Sequence, residues 1–134
     1  MVEKTALGVI QIKDPEDGPK MAQDTFNAGD LDGLVGLYED EAVFSLGPGQ
    51  VATGSGAIRE ILADLLATGG RVELKCGQNS LHQVGDIALR TLEWTLEDND
   101  PGGNPLTLRS VAAVVLRRQA DGSWRVVIDN ACPF

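Results

Sequence analysis

The chain has 134 residues, with 20 Asp or Glu against 11 Lys or Arg, and a formal net charge of -9. This length predicts one domain with one sizeable core. The acidic balance and the scattered basic residues argue against nucleic acid and anionic membranes as partners, because both require clustered positive charge. No apolar stretch approaches the ~20 residues that span a bilayer, and no basic segment followed by an apolar one opens the sequence. We therefore expect a cytoplasmic location.

An extended arm is predicted at residues 1–13, ahead of a single domain at residues 14–134. The alternation of Ile10 and Ile12 fits an extended arm or short strand better than a helix. We expect this arm to pair with an edge strand or with a partner subunit.

Three helices are predicted in the N-terminal half. The first covers residues 19–28 and ends at Gly29, a residue that readily adopts the left-handed conformation. The second begins after the N-cap Asp30 and carries Tyr38 at the end of its apolar stripe. The third begins at Ser55, carries a regular apolar face and ends before Gly69.

Strand patterns cover most of the remaining chain. A brief strand at residues 42–46 precedes a turn, and residues 50–52 are compatible with a short returning strand. From Arg71 the hydrophobic period switches to two, which predicts four strands at residues 71–84, 87–96, 106–118 and 124–130. Helices followed by such a meander predict an α+β domain, with the three helices packed on the concave face of a curved antiparallel sheet.

Six short segments of the chain carry a family resemblance. They are Ala28-Gly29-Asp30-Leu31-Asp32-Gly33-Leu34, residues 37–43, Gly54 with Ala57-Ile58-Arg59, residues 84–88, Asp121-Gly122-Ser123-Trp124-Arg125, and Pro133-Phe134. With these segments the sequence resembles the SnoaL-like, nuclear-transport-factor-2-like (NTF2-like) superfamily, and within it the ketosteroid-isomerase homologues of unknown function. The resemblance implies a cystatin-like cone with a pocket between sheet and helices, and a homodimer built through the sheet.

The resemblance also implies several activities, because isomerases, dehydratases, cyclases, hydrolases, ligand binders and adaptor domains share this cone. True ketosteroid isomerases carry a catalytic Asp at the position of Leu46 and an oxyanion-hole Tyr near Ala22, so the resemblance does not imply that activity here. In the homologue group the last strand often carries His-Asp-His, where this chain has Ile128-Asp129-Asn130.

Asp129 and His82 are the candidate catalytic residues. Strand parity predicts that Ile128 faces the core and that Asp129 points outward into an ion pair with Arg125, unless a bulge intervenes. An inward Asp129 is the alternative, and desolvation would tune it toward a general base. His82 lies close to a hairpin turn, where an exposed imidazole is the simpler interpretation and a general base the alternative.

Six residues are predicted to line the pocket. Ser110 and Ala112 leave room among bulkier neighbours on the apolar face of their strand. Tyr38 can direct a ligand with its hydroxyl or simply fill the core, and Trp94 can stack on a flat ligand or pack. Strand parity predicts that Asn130 faces the pocket. The ordinary alternative to a ligand contact is a buried Asn that hydrogen-bonds to backbone groups. The full set is Tyr38, Phe44, Trp94, Ser110, Ala112 and Asn130.

These observations favour a homodimer that binds a small, mostly apolar metabolite. The alternatives are a cofactor-free lyase, isomerase or hydrolase using acid-base chemistry, and a protein-protein adaptor domain. The sequence has no phosphate-binding glycine loop and no G-x-S-x-G elbow. It has a single His, and its acidic segment at residues 97–100 lacks calcium-loop spacing. We therefore expect neither a cofactor nor a metal site.

Overall fold

In the computed structural model, which describes residues 10–77 and 80–132, three helices pack on a curved, unclosed sheet of seven strands. The predicted α+β class is confirmed. After a 3₁₀ turn at Pro15–Asp17, the helices are α1 (Gly18–Asn27), α2 (Leu31–Val35) and α3 (Ser55–Ala67). The strands are β1 (Tyr38–Ser45), β2 (Val51–Thr53), β3 (Arg71–Lys75), β4 (Leu81–Val84), β5 (Ile87–Asn99), β6 (Pro105–Arg118) and β7 (Trp124–Asn130).

The second helix is shorter than its apolar stripe predicts, and Tyr38 is the first residue of β1 rather than a helical residue. Two glycines, Gly33 and Gly36, weaken helix propensity in this segment. The chain then joins the sheet at once, because the amide of Val126 donates to the carbonyl of Leu37 over 2.8 Å. The ring of Tyr38 therefore approaches the core from the sheet.

The sheet is mixed, which corrects the antiparallel sheet that we predicted. Its strand order is β2-β1-β7-β6-β5-β3, with β4 also pairing β5, and the β1–β7 pair is parallel. No hairpin joins β1 to β7, so nothing in their connection imposes an antiparallel arrangement. The strand predicted at residues 71–84 is two strands, β3 and β4, that pair with successive parts of β5.

A β-bulge in β7 reverses the inward and outward faces of that strand. Val126 pairs with Leu116 whereas Ile128 pairs with Val115, so Val127 is an extra residue. Trp124 and Val126 are buried before the bulge, but after it Ile128 is 43% exposed. Asp129 therefore faces the concave side of the sheet. The prediction that it points outward beside Arg125 is wrong.

The core lies between the helices and the concave face of the sheet. The described end of the predicted arm belongs to it, since Ile10 and Ile12 are buried and the carbonyl of Ile12 accepts from the amide of Trp124 over 2.7 Å. Residues 1–9 of that arm lie outside the described residues. Among the helices that the structure describes, none has the length and apolar character needed to cross a membrane.

Candidate ligand-binding cavity

A cavity of about 170 Å³ opens between α1, α3 and the concave face of the sheet. Cavities of roughly this size with apolar walls hold a benzene-sized molecule. Most of the wall is Leu, Ile, Val, Ala and Phe. Within the described part of the chain, polar side-chain atoms in the wall come from Tyr38, Arg90, Trp94 and Asp129. The cavity therefore combines a large apolar surface with a few fixed polar groups, as small-molecule sites usually do.

Tyr38 and Asp129 form a hydrogen-bonded pair in the cavity wall. The hydroxyl of Tyr38 donates to Oδ2 of Asp129 over 2.7 Å. The ring of Tyr38 packs against Phe44 with centroids 6.0 Å apart. The parallel pairing of β1 with β7 and the bulge in β7 together create this contact between residues 91 positions apart.

Burial changes the acid-base properties of both members of this pair. Desolvation raises the pKa of Asp129 to about 6, although the hydrogen bond from Tyr38 opposes part of this rise. The pKa of Tyr38 is raised well above its ordinary value by burial, and then by the adjacent charge of Asp129. Near neutral pH the carboxylate is thus mostly ionised yet basic enough to accept a proton, while the phenol stays a donor.

Arg90 is the polar side chain of the described cavity wall that was not predicted from the sequence. It lies on β5 in one cross-strand row with Val114 and Asp129, because Arg90 pairs with Val114 and Val114 pairs with Asp129. Two strand spacings place the Cα atoms of Arg90 and Asp129 roughly 10 Å apart. A sequence signal did exist, because Arg90 interrupts the otherwise apolar inward face of β5 formed by Ala88, Leu92 and Leu96.

Some of the other predicted pocket residues line the cavity, and others lie outside it. Phe44, Trp94 and Ala112 lie in the cavity wall with Tyr38 and Asp129. The indole Nε1–H of Trp94 donates to the carbonyl of Ala131 over 2.6 Å, which holds the ring in place. Ser110 does not line the cavity, although it lies on the same face of β6 as Ala112 and pairs with Trp94.

Asn130 and His82 also lie outside the cavity. Asn130 was predicted to line it, but the bulge in β7 turns this side chain to the opposite face. His82 is exposed on β4 and pairs with Leu89, whose side chain also lies on the outer face. It therefore cannot act on a molecule in the cavity as the structure stands. No group of three or more metal-binding side chains occurs in residues 10–77 and 80–132.

Comparison with known proteins gives one family and many structural neighbours. A model of the SnoaL-like domain matches residues 20–127. No curated protein matches the sequence.

Three solved structures illustrate the structural likeness. A ketosteroid isomerase-like protein from Erwinia carotovora has a TM-score of 0.72 at 20% identity, with 85% of this chain and 88% of that chain covered. A proposed dehydratase of the NTF2-like family from Streptomyces avermitilis has a TM-score of 0.72 at 19% identity, covering 87% and 91%. An NTF2-like protein with a cystatin-like fold from Novosphingobium aromaticivorans has a TM-score of 0.67 at 18% identity, covering 84% and 75%. At these identities the likeness concerns the fold.

Proposed function

Since the chain belongs to the SnoaL-like domain family, we propose that it is a homodimer that binds a small, mostly apolar molecule in its cavity. The observation that supports ligand binding is the cavity of about 170 Å³ with apolar walls. A cavity that served packing alone would cost stability, because unfilled space forfeits the contacts of its lining side chains. A ring-sized molecule with one or two polar groups fits both the volume and the wall.

Native mass spectrometry of freshly purified protein tests the proposal directly. We expect an additional mass of a small molecule that is released on denaturation. A protein that carries no such mass and that also fails to bind small cyclic compounds would contradict ligand binding and would favour the adaptor alternative.

Replacing Ala112 with Phe should block the cavity. The new ring would extend into open space, so we expect lost ligand binding at a cost below about 1 kcal/mol, whereas the same change in a tightly packed core costs about 1–3 kcal/mol. Ser110→Phe is the matched control, because Ser110 lies on the same strand face outside the cavity wall. Ligand titration and urea denaturation of both variants provide the measurements. Undiminished binding by Ala112→Phe would place the ligand elsewhere.

The dimer that we propose uses the outer face of the sheet. Leu89, Val111 and Ile128 are each at least 40% exposed there, on the adjacent strands β5, β6 and β7. Large exposed apolar surfaces commonly mark interfaces, and two copies can bury one patch symmetrically.

We expect light scattering to show a dimer at micromolar concentration, and we expect Ile128→Glu to yield monomers because it buries two charges at a symmetric contact. Val51→Glu, at the exposed edge strand β2, is the control that should leave the dimer intact. A wild-type monomer would remove this part of the proposal.

A cofactor-free lyase, isomerase or hydrolase is the second candidate. The observation that favours it is the Asp129 carboxylate, which lies in the cavity, is held by Tyr38 and has a pKa near 6. Such a carboxylate can take a proton from a bound molecule, and the protonated form can return it. Exchange of the ligand's acidic hydrogens with deuterium from D₂O tests this candidate without requiring a known product.

A further inference from the structure

The guanidinium of Arg90 has an unmet hydrogen-bond donor in the interior of the protein. The residue is 7% exposed, and its Nε–H has no hydrogen-bond partner among the described residues. Its Nη1–H donates to Oε2 of Glu16 over 3.0 Å, and the thiol of Cys76 is close enough to interact with the guanidinium. A buried donor left without an acceptor is costly, so such groups commonly mark a place where a ligand or water binds.

The other side-chain donors of the cavity wall are already used. The hydroxyl of Tyr38 donates to Asp129, and the indole N–H of Trp94 donates to the carbonyl of Ala131. Arg90 is also in the wall, in the same cross-strand row as Asp129. Of the side-chain donors in the described wall, the Nε–H of Arg90 is thus the buried one without a partner, and a ligand in the cavity can satisfy it.

The charges around the cavity indicate an uncharged acceptor. Two carboxylates, Asp129 and Glu16, accompany the single guanidinium of Arg90. When all three are ionised their net charge is negative, and a ligand carboxylate would meet repulsion from Asp129 in a poorly solvated space. A neutral oxygen accepts the same hydrogen bond without that repulsion.

We propose that Arg90 orients the ligand by donating its Nε–H to a neutral carbonyl oxygen, as found in ketones, aldehydes, esters and amides. This proposal rests on the proposed binding of a small molecule in the cavity. It assigns Arg90 as a residue that selects the ligand, with the apolar body of the ligand along Val114 and its neighbours.

A pair of probes of the same shape tests the proposal. Cyclohexanone carries a carbonyl oxygen where methylenecyclohexane carries a CH₂ group, and both match a ring-sized cavity. Their affinities are measured by NMR titration of the wild type, Arg90→Met and Arg90→Lys. The Arg90→Met variant keeps much of the apolar stem of the side chain. The Arg90→Lys variant keeps the positive charge beside Glu16 but lacks an Nε–H, so it replaces the Met variant if that variant folds poorly. Arg59→Met is the control, because this exposed arginine of α3 lies outside the cavity wall.

We expect both Arg90 variants to weaken cyclohexanone binding by about ten-fold or more, as loss of a hydrogen bond to a charged donor implies, with methylenecyclohexane changed less than about two-fold. Arg59→Met should behave as the wild type. If the wild type binds both probes and the Arg90 variants show no selective loss of cyclohexanone affinity, the role of Arg90 is overturned. Ligand binding in the cavity is not contradicted by that result.

The affinity for cyclohexanecarboxylate shows whether the cavity prefers a neutral ligand or an anionic one. Tighter, Arg90-dependent binding of this anion than of cyclohexanone would overturn the neutral class. Failure of both neutral probes to bind the wild type would overturn cavity binding and this proposal together.

Discussion

Replacing Asp129 with Asn is expected to slow deuterium exchange of a cavity-bound ligand by about 10²–10⁴-fold if the protein is an acid-base enzyme, which is the usual contribution of a positioned base. The amide of Asn has nearly the same shape but cannot accept the proton. In the wild type the exchange rate should rise with pH and level off above the pKa of Asp129, which is about 6. The measurement is NMR of the ligand in D₂O across this pH range.

The Tyr38→Phe variant tests whether Asp129 acts as the base or whether slower exchange reflects only a loss of ligand binding. The hydroxyl of Tyr38 donates to Asp129 and holds the pKa of that carboxyl lower than burial alone would set it. Removing the hydroxyl should therefore move the rise in exchange rate to higher pH, while the slope stays that of a single ionisation. An exchange rate that neither variant changes would remove Asp129 and the enzyme candidate, leaving a binding protein.

The stability of the protein should depend on pH through Asp129 in a direction opposite to that of most carboxylates. The pKa of Asp129 is raised from 3.8 to about 6 in the folded state, so the folded state holds this proton more tightly than the unfolded state does. The resulting stabilisation is present below pH 4 and is lost as pH rises through about 6. A difference of this size corresponds to roughly 2–3 kcal/mol.

Asp129→Asn should therefore gain stability relative to the wild type as pH rises from 4 to 7, by up to about 2–3 kcal/mol. Asn carries no charge that folding must desolvate, and its side-chain oxygen can still accept from Tyr38. The free energy of unfolding from urea titrations at several pH values measures the gain. A gain that is the same at every pH would mean that the carboxylate is not desolvated.

Asp121→Asn is the matched control with the opposite sign. The amide and hydroxyl of Ser123 donate to Asp121, and these bonds lower the pKa of its carboxyl. The stability that Asp121 contributes is present above its ordinary pKa and is lost as pH falls through the lowered value. The Asn variant should thus be destabilised by a nearly constant amount from pH 5 to pH 7, in contrast to Asp129→Asn.

The positions of most elements follow from local patterns in the sequence. The apolar face of α3 and the period-two alternation of β5 and β6 appear where they were expected, because helix and strand periodicity survive wherever one face is buried. Asp121-Gly122 marks the turn into β7, and Gly122 has the positive φ of +87° that such turns require. Resemblance to the SnoaL-like group then predicted the cone in which these elements pack.

Local patterns could not place the polar groups of the cavity. Parity along β7 pointed Asp129 outward, but the one-residue bulge at Val127 reverses every later side chain. A bulge depends on how β7 fits between β1 and β6, and no composition rule within the strand specifies it. The inferred helical position of Tyr38 failed for a related reason, since pairing of Leu37 with β7 outweighed helix propensity in a short, glycine-containing segment.

The periodicity of apolar residues thus indicates which face of a helix or strand is buried, because packing against a neighbouring element requires only that the side chains be apolar. The contact between Tyr38 and Asp129, and the unmet donor of Arg90, depend on register between strands that are distant in sequence. A shift of one residue would keep the hydrophobic pattern almost unchanged but would move each polar atom to another neighbour. For this reason the cone could be predicted from the sequence, whereas the chemistry of its cavity emerged only from the packed sheet.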